Sequence, residues 1–313
     1  MRVLRPVQSV VIAAALRARR QRVAILPAAL SLRSGGRVSR QSVIITGGTQ
    51  GLGFGYAREF GRLGHNVLLC GRTQAAVDAA VSRLAPLFAA GARVVGQVAD
   101  TADLAALEAL WARGVAEFGR VDIWLNNAGF ARTGAKFIDN TPADIEAMVR
   151  ANVIGSINAA QVAVAGMQRQ GGGKLYLTLG GGGASGRVVP GMTVYSTTKR
   201  AVKYLANALV KERREARDDS ILIGTISPGV NITEGMVREL NALPTGERAK
   251  ALRQLNFIGE EVETTTPWIV ARVLADTRQG NDITWLTTGR MLGRAVSMIF
   301  SKRDVLSRHG LKA

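Results

Sequence analysis

Val43-Ile44-Ile45-Thr46-Gly47-Gly48-Thr49-Gln50-Gly51-Leu52-Gly53 is the stretch that decides how this 313-residue chain is read. Three apolar β-branched residues make a short buried strand, a glycine-rich turn follows, and a helix continues through about Leu63. Glycines at 47, 51 and 53 allow a tight backbone and let a dinucleotide pyrophosphate approach the N–H groups of the helix start. Such turns are common in a chain with 36 glycines. The position of this one, directly after a strand and before a helix, is what gives it meaning. Thr46, Thr49, Gln50 and Leu52 complete the candidate cofactor turn with the three glycines.

The same alternation continues outward from that stretch. Residues 66–70, 93–98, 121–125, 174–179, 221–226 and 282–286 read as further strands, with helices near 102–118, 143–169 and 194–216 between them. Continuous apolar strands alternating with helices mean a parallel sheet covered on both faces. The expected fold is α/β: a single doubly wound sheet of Rossmann type, spanning 41–288 without an internal repeat or a linker. An extension (1–40) precedes it and a basic amphipathic tail (289–313) follows it.

The formal charge of +18 suggests a nucleic-acid binder until its distribution is examined. Residues 1–40 carry nine arginines with no lysine and no acid, and 289–313 carry six Lys/Arg against one Asp, so the central domain is only mildly basic. Basic tails are solvated or attracted to membranes more often than they bind nucleic acid, and no nucleic-acid partner is expected. The run Val10–Leu16 is too short to span a bilayer and has no convincing cleavage site after it. An organelle transit segment, a membrane-surface segment and a loosely attached extension all fit residues 1–40. One cysteine, Cys70, excludes an intrachain disulfide and fits a reducing, cytoplasmic compartment; with only His65 and His309 besides, no metal site is expected. The C-terminal segment mixes apolar and basic residues at helical spacing, suited to a membrane surface or to covering its own subunit or a neighbour.

Tyr195 and Lys199 stand four residues apart, hence on one face of a helix. A neighbouring ammonium favours the phenolate and makes the tyrosine a proton carrier near neutral pH. After the second strand comes Gly71-Arg72-Thr73, where a dehydrogenase preferring NAD places an acid on the ribose 2′-hydroxyl. Arg72 suits the 2′-phosphate of NADP instead. Asn126-Asn127-Ala128-Gly129 ends the fourth strand with small residues that let a cofactor lie close.

With Asn152 and Ser227-Pro228-Gly229 added, these motifs resemble, in order and spacing over about 42–288, the short-chain dehydrogenase/reductase family. The resemblance implies about seven strands and a Ser-Tyr-Lys-Asn site. In that scheme Tyr195 protonates the substrate oxygen as hydride arrives, Lys199 binds the ribose hydroxyls and Asn152 holds a relay water. It also implies an adenine contact at Asp100 and Thr101, cofactor contacts at Asn127, Ala128 and Gly129, and a nicotinamide carboxamide segment at Pro228, Gly229, Val230 and Thr233. The family's serine position, 12 to 14 residues before the tyrosine, is glycine here (Gly181 to Gly183), and the nearest hydroxyl is Ser185. Ser185 either polarises the substrate carbonyl from a flexible loop or leaves the site without its serine. Gly183-Ala184-Ser185-Gly186, Pro190, Val194–Lys199 and Ile283–Thr288 resemble the chlorophyll b reductase branch, which favours a bulky apolar carbonyl.

The expectation is an NADP(H)-dependent reductase of a hydrophobic ketone or aldehyde, or the reverse alcohol oxidation. The alternative is a low-turnover NADP(H)-binding sensor or scaffold. A homo-oligomer is expected from the resemblance alone.

Overall fold

The computed structural model describes residues 39–311, apart from 135, 185, 187, 242, 244, 301 and 302. The expectations for residues 1–38 and for Ser185 therefore lie outside the described residues.

Seven strands form one parallel sheet: β1 (Ser42–Ile45), β2 (Asn66–Gly71), β3 (Val94–Val98), β4 (Ile123–Asn126), β5 (Gly173–Thr178), β6 (Ile221–Ser227) and, further along the chain, Asp282–Thr284. Their spatial order is β3-β2-β1-β4-β5-β6 and then Asp282–Thr284. The chain starts in the middle, runs to one edge, and returns to β1's other side at β4, pairing Val43 with both Val67 and Ile123. That reversal leaves a crevice beyond the carboxyl ends of β1 and β4, the place where sheets of this kind bind ligands.

Side chains alternate across the sheet with the two-residue period of a strand, and both faces are buried. Ile44, Leu68, Trp124, Leu175 and Leu177 pack on one face against α3 (Leu104–Phe118), α5 (Gly155–Gln170) and α6 (Thr193–Glu215). Val43, Ile45, Leu69, Leu125 and Tyr176 pack on the other against α1 (Gly51–Arg62), α2 (Gln74–Leu84) and α9 (Val262–Ala275). The helix expected near 143–169 is α4 (Pro142–Val149) and α5 joined by a π-helical turn over Arg150–Ile154. Three helix starts are capped by side chains: Thr73 for α2, Asp103 for α3, and a Thr141/Asp144 capping box for α4. At the start of α1 Gln50 offers no side-chain cap, and the first N–H groups of the helix stay available.

Between β6 and the last strand the chain builds a small lobe: β7 (Val230–Ile232), α7 (Glu234–Asn241), α8 (Thr245–Ile258) and β8 (Gly259–Glu261). β7 and β8 pair in parallel, with Asn231 opposite Glu260. Leu240, Leu252 and Leu255, with Met236 and Leu243 packed on them, are the lobe's own core rather than an open lining. β9 (Asp282–Thr284) leads to α10 (Thr288–Phe300), and residues 303–311 then run back over the lobe. Leu306 and Leu311 enter the lobe core, and Asn256 binds the Arg303 carbonyl (2.6 Å) and the Val305 N–H (3.1 Å). Glu260 accepts from both Arg294 and Arg303, and His309 meets Glu261 at 2.9 Å.

Candidate active site

The crevice at the strand reversal is built around Thr46. Its hydroxyl accepts the N–H groups of Asn127 and Ala128 (3.0 Å each) and donates to Asn126 Oδ1 (3.2 Å). The Asn127 amide returns two bonds, to the carbonyls of Thr46 (3.1 Å) and Gly47 (3.2 Å). One threonine and one asparagine thus lock the ends of β1 and β4 together, and the glycine turn is held open above them. Gly47 has φ +64°, and a Cβ on Gly53 would overlap the Gly47 carbonyl oxygen, so the turn tolerates no side chain at either position. The uncapped N–H groups of α1 with this bare backbone form a cradle of the kind a pyrophosphate fills. Thr49 packs on Gly71 at the end of β2, next to Arg72, which is exposed and makes no hydrogen bond or ion pair among the described residues. Thr73 is not available beside it, since its hydroxyl caps α2. Asp100 is exposed and its carboxylate accepts the Ala102 N–H (3.0 Å), while Thr101 is buried against Gly155.

On the other side of the crevice, α6 presents Tyr195 and Lys199 from successive turns. The ammonium of Lys199 lies 6.0 Å from the Tyr195 ring centroid and donates to the Thr178 carbonyl at 3.1 Å. Lys199 is only 5% exposed, and burial brings its pKa down from 10.5 to about 8. A Cβ on Gly129 would stand 3.3 Å from Lys199 Nζ and 2.9 Å from Asn152 Oδ1, which puts the Asn127–Gly129 strip directly beside the lysine. Asn152 is fully buried in the π turn. Both of its amide hydrogens are used, on the Phe130 carbonyl (2.8 Å) and Thr198 Oγ1 (2.9 Å), and its oxygen accepts the Phe130 N–H (2.9 Å). Thr198 in turn donates to the Tyr195 carbonyl (2.7 Å). The Asn152 side chain therefore ties the loop after β4 to the turn of α6 that carries Tyr195. The π turn is what aims it there, a use such turns often have.

The glycine loop after β5 wraps the start of α6. A Cβ on Gly180 would overlap the Tyr195 hydroxyl, so the absence of a side chain at 180 makes room for the phenol. Ser196 donates to the Gly181 carbonyl (2.8 Å) and Arg200 to that of Gly183 (3.2 Å). Gly134 N–H bonds the Gly191 carbonyl (2.8 Å), which joins this loop to the one after β4. Phe137 (62% exposed), Ile138 (84%) and Val188 (88%) stand out from these two loops.

The segment after β6 closes the crevice. Pro228 and Gly229 (φ +75°) turn the chain against Trp285 and Leu286, half-buried Val230 begins β7, and Thr233 comes to 3.2 Å from the Cβ position of Gly51. The structure thus brings the candidate residues of the glycine turn, the Asn127 strip, the Tyr195 helix and the Pro228 loop around one crevice. Arg72, Asp100 and Thr101 lie at the ends of the neighbouring strands β2 and β3. Three contributors were not singled out from sequence: Gly180, Thr198 and the Phe130 backbone. Only Thr198, next to Lys199, carried a local signal.

The chain is similar to several known proteins. The short chain dehydrogenase family model matches residues 41–243. The probable chlorophyll(ide) b reductase NYC1, chloroplastic, of Arabidopsis thaliana is 31% identical over 270 residues, covering 82% of this chain and 52% of the relative. A 3alpha-hydroxysteroid dehydrogenase of Mediterraneibacter gnavus is 33% identical over 191 residues, 61% of this chain and 74% of the relative. The crystal structure of levodione reductase superposes with a TM-score of 0.70 at 25% identity, covering 82% of this chain and 99% of that one. The chain spans about half the length of the Arabidopsis NYC1 relative. The matched span and the strand order lead to one conclusion: the chain belongs to the short-chain dehydrogenase family.

Proposed function

We propose that the chain is an NADPH-dependent reductase of a bulky apolar ketone or aldehyde, chemically able to run in reverse as an alcohol dehydrogenase. The observation that carries this reading is Tyr195 over Gly180 with the buried Lys199 ammonium one helical turn away, facing the crevice at the strand reversal. A bound nicotinamide supplies or accepts the hydride. Tyr195 donates the proton to the substrate oxygen as the carbonyl carbon is reduced, and takes it back in the oxidative direction. Lys199 keeps positive charge beside the phenol and suits the ribose hydroxyls, while Asn152 and Thr198 hold the helix turn and loop in register. Ser185 is kept in the proposal as the donor to the substrate oxygen.

NADPH is favoured over NADH because the residue after Gly71 is an unengaged arginine and no acid replaces it. A bulky apolar substrate is supported by the exposed Phe137, Ile138 and Val188 on the loops flanking Tyr195. The names of two relatives, for chlorophyll(ide) b and for a 3α-hydroxysteroid, point the same way. The proposal retains two kinds of macromolecular contact: a homo-oligomer, and a membrane surface met by the basic N-terminal segment. The chloroplastic relatives favour an organelle over the general cytoplasm.

The test is oxidation of NADPH and NADH against a panel of hydrophobic ketones and aldehydes. Tyr195→Phe is expected to lower kcat by about 10²–10⁴-fold without weakening cofactor binding. Arg72→Glu is expected to reduce the NADPH/NADH preference. Binding of NADPH with no turnover across the panel would instead support a sensor or scaffold.

A further inference from the structure

Val230-Asn231-Ile232 is an apolar strand with one amide in its middle, and that amide is buried: Asn231 is 5% exposed. A buried amide costs free energy unless its hydrogen bonds are made. Asn231 makes them in two directions. Its nitrogen donates to the Pro228 carbonyl (2.9 Å), and its oxygen accepts from Thr265 Oγ1 (2.6 Å), a residue in α9 that is 0% exposed. The Thr265 hydroxyl has other acceptors in reach, the carbonyls of Val262 (3.3 Å) and Glu261 (3.5 Å), but the bond to Asn231 is much the shortest.

The consequence falls on one peptide plane. In a trans peptide the carbonyl and the N–H point opposite ways. Holding the Pro228 carbonyl on the Asn231 amide therefore turns the Gly229 N–H away from Asn231. It also fixes the turn at Gly229 against Trp285 and Leu286. Thr265 anchors the amide to the first turns of α9, which lie hard against α1: a Cβ on Gly55 would stand 2.5 Å from Val262 Cγ1. The glycine turn at the head of α1 and the Pro228–Gly229 peptide are thus referenced to one rigid helix pair. At the far end of the loop, Thr233 meets Gly51.

We infer that Asn231 and Thr265 are a positioning pair that sets the Pro228–Gly229 peptide for the nicotinamide half of the cofactor, leaving the adenine half untouched. This inference rests on the cofactor reading above. Neither residue touches the reacting atoms; they act through the loop.

The test measures calorimetric binding of two ligands to the full chain: NADPH, and the ADP-ribose 2′-phosphate fragment that lacks nicotinamide. Thr265→Val leaves a buried amide oxygen unpaired. The double variant Asn231→Val/Thr265→Val removes the Asn231–Thr265 bond from both sides and releases the Pro228 carbonyl, and its Tm is measured alongside binding. Both variants are expected to weaken NADPH by about tenfold and to leave fragment binding unchanged, while Thr265→Ser binds both ligands as the wild type does. The double variant folding with a wild-type Tm yet binding NADPH normally would overturn the inference. So would equal loss of both ligands in either variant, the mark of a general structural role. A wild-type chain that binds neither ligand would overturn the cofactor reading and this inference with it.

Discussion

Lys199 shows most directly how a single side chain is both a cost and a tool. Its ammonium is buried and donates to the Thr178 carbonyl, and its pKa falls to about 8 through desolvation. The unfolded chain keeps the ordinary value of 10.5. Between about 8 and 10.5 the unfolded state therefore binds more protons than the folded one, and stability rises with pH across that window. Below it, both states are protonated and the full cost of burying the charge is present. Lys199→Met is thus expected to raise the apo-protein's Tm at pH 7, with the gain shrinking as pH goes from 8 to 10.5. Thermal melts at several pH values check this, and a gain independent of pH would contradict the desolvation argument. Tyr195 and Lys199 were legible in the sequence because helical spacing alone places them on one face. The room made by Gly180 was not, since it depends on how the loop after β5 crosses α6, and no local pattern encodes that crossing.

At the scale of elements, the lobe formed by β7, α7, α8 and β8 hangs from the sheet by the Pro228 loop and is clasped by residues 303–311. Glu260 joins the two, taking Arg294 and Arg303 onto one carboxylate that is largely shielded from water. Glu260→Gln leaves two guanidinium groups facing a neutral amide. It is expected to cost on the order of 2–3 kcal/mol, below the figure for a fully buried pair because some water reaches the arginines. Hydrogen exchange should quicken in 230–261 and 303–311 while β1, β2 and β4 stay protected; uniform quickening would mean the lobe is not a separate unit. The inner strands β1, β2, β4, β5 and β6 were readable because burial on both faces makes them largely apolar runs, whereas the edge strands β3 and β9 are more exposed and mixed in composition. β7 and β8, three residues each, are too short to show a period. The π turn at 150–154 is invisible because the apolar pattern of 142–170 passes through it unbroken. The end of α9 is set by Lys174 of β5, which donates to the carbonyls of Val273, Leu274 and Asp276. A cap supplied from about a hundred residues away leaves no trace near the helix it ends.

For the whole molecule, charge is the property that local structure does not explain. The described domain pairs many of its arginines, including Arg294 and Arg303 of the C-terminal segment, whereas the sequence of residues 1–40 holds nine arginines and no acidic residue. No helix among the described residues is long and apolar enough to cross a membrane. Binding of the full chain to vesicles containing anionic lipid should therefore be strong at low salt and fall steeply as salt rises. Deleting residues 1–38 should abolish most of it. Equal binding to neutral vesicles, or no effect of the deletion, would remove the membrane surface from the proposal. The charge asymmetry was plain in the sequence because it is compositional.

The four tryptophans are distributed in a way that has a practical meaning. Trp111 and Trp124 stack at 6.2 Å on the α3 side of the sheet. Trp268 and Trp285 meet edge to face at 5.2 Å on the other side, between the guanidinium groups of Arg272 and Arg290, with Trp285 touching the Gly229 turn. The polypeptide consequently contains two optical probes in distinct surroundings. Emission from the pair beside the Pro228–Gly229 loop should change when a ligand reaches that loop, an outcome that a fluorescence titration checks without any label.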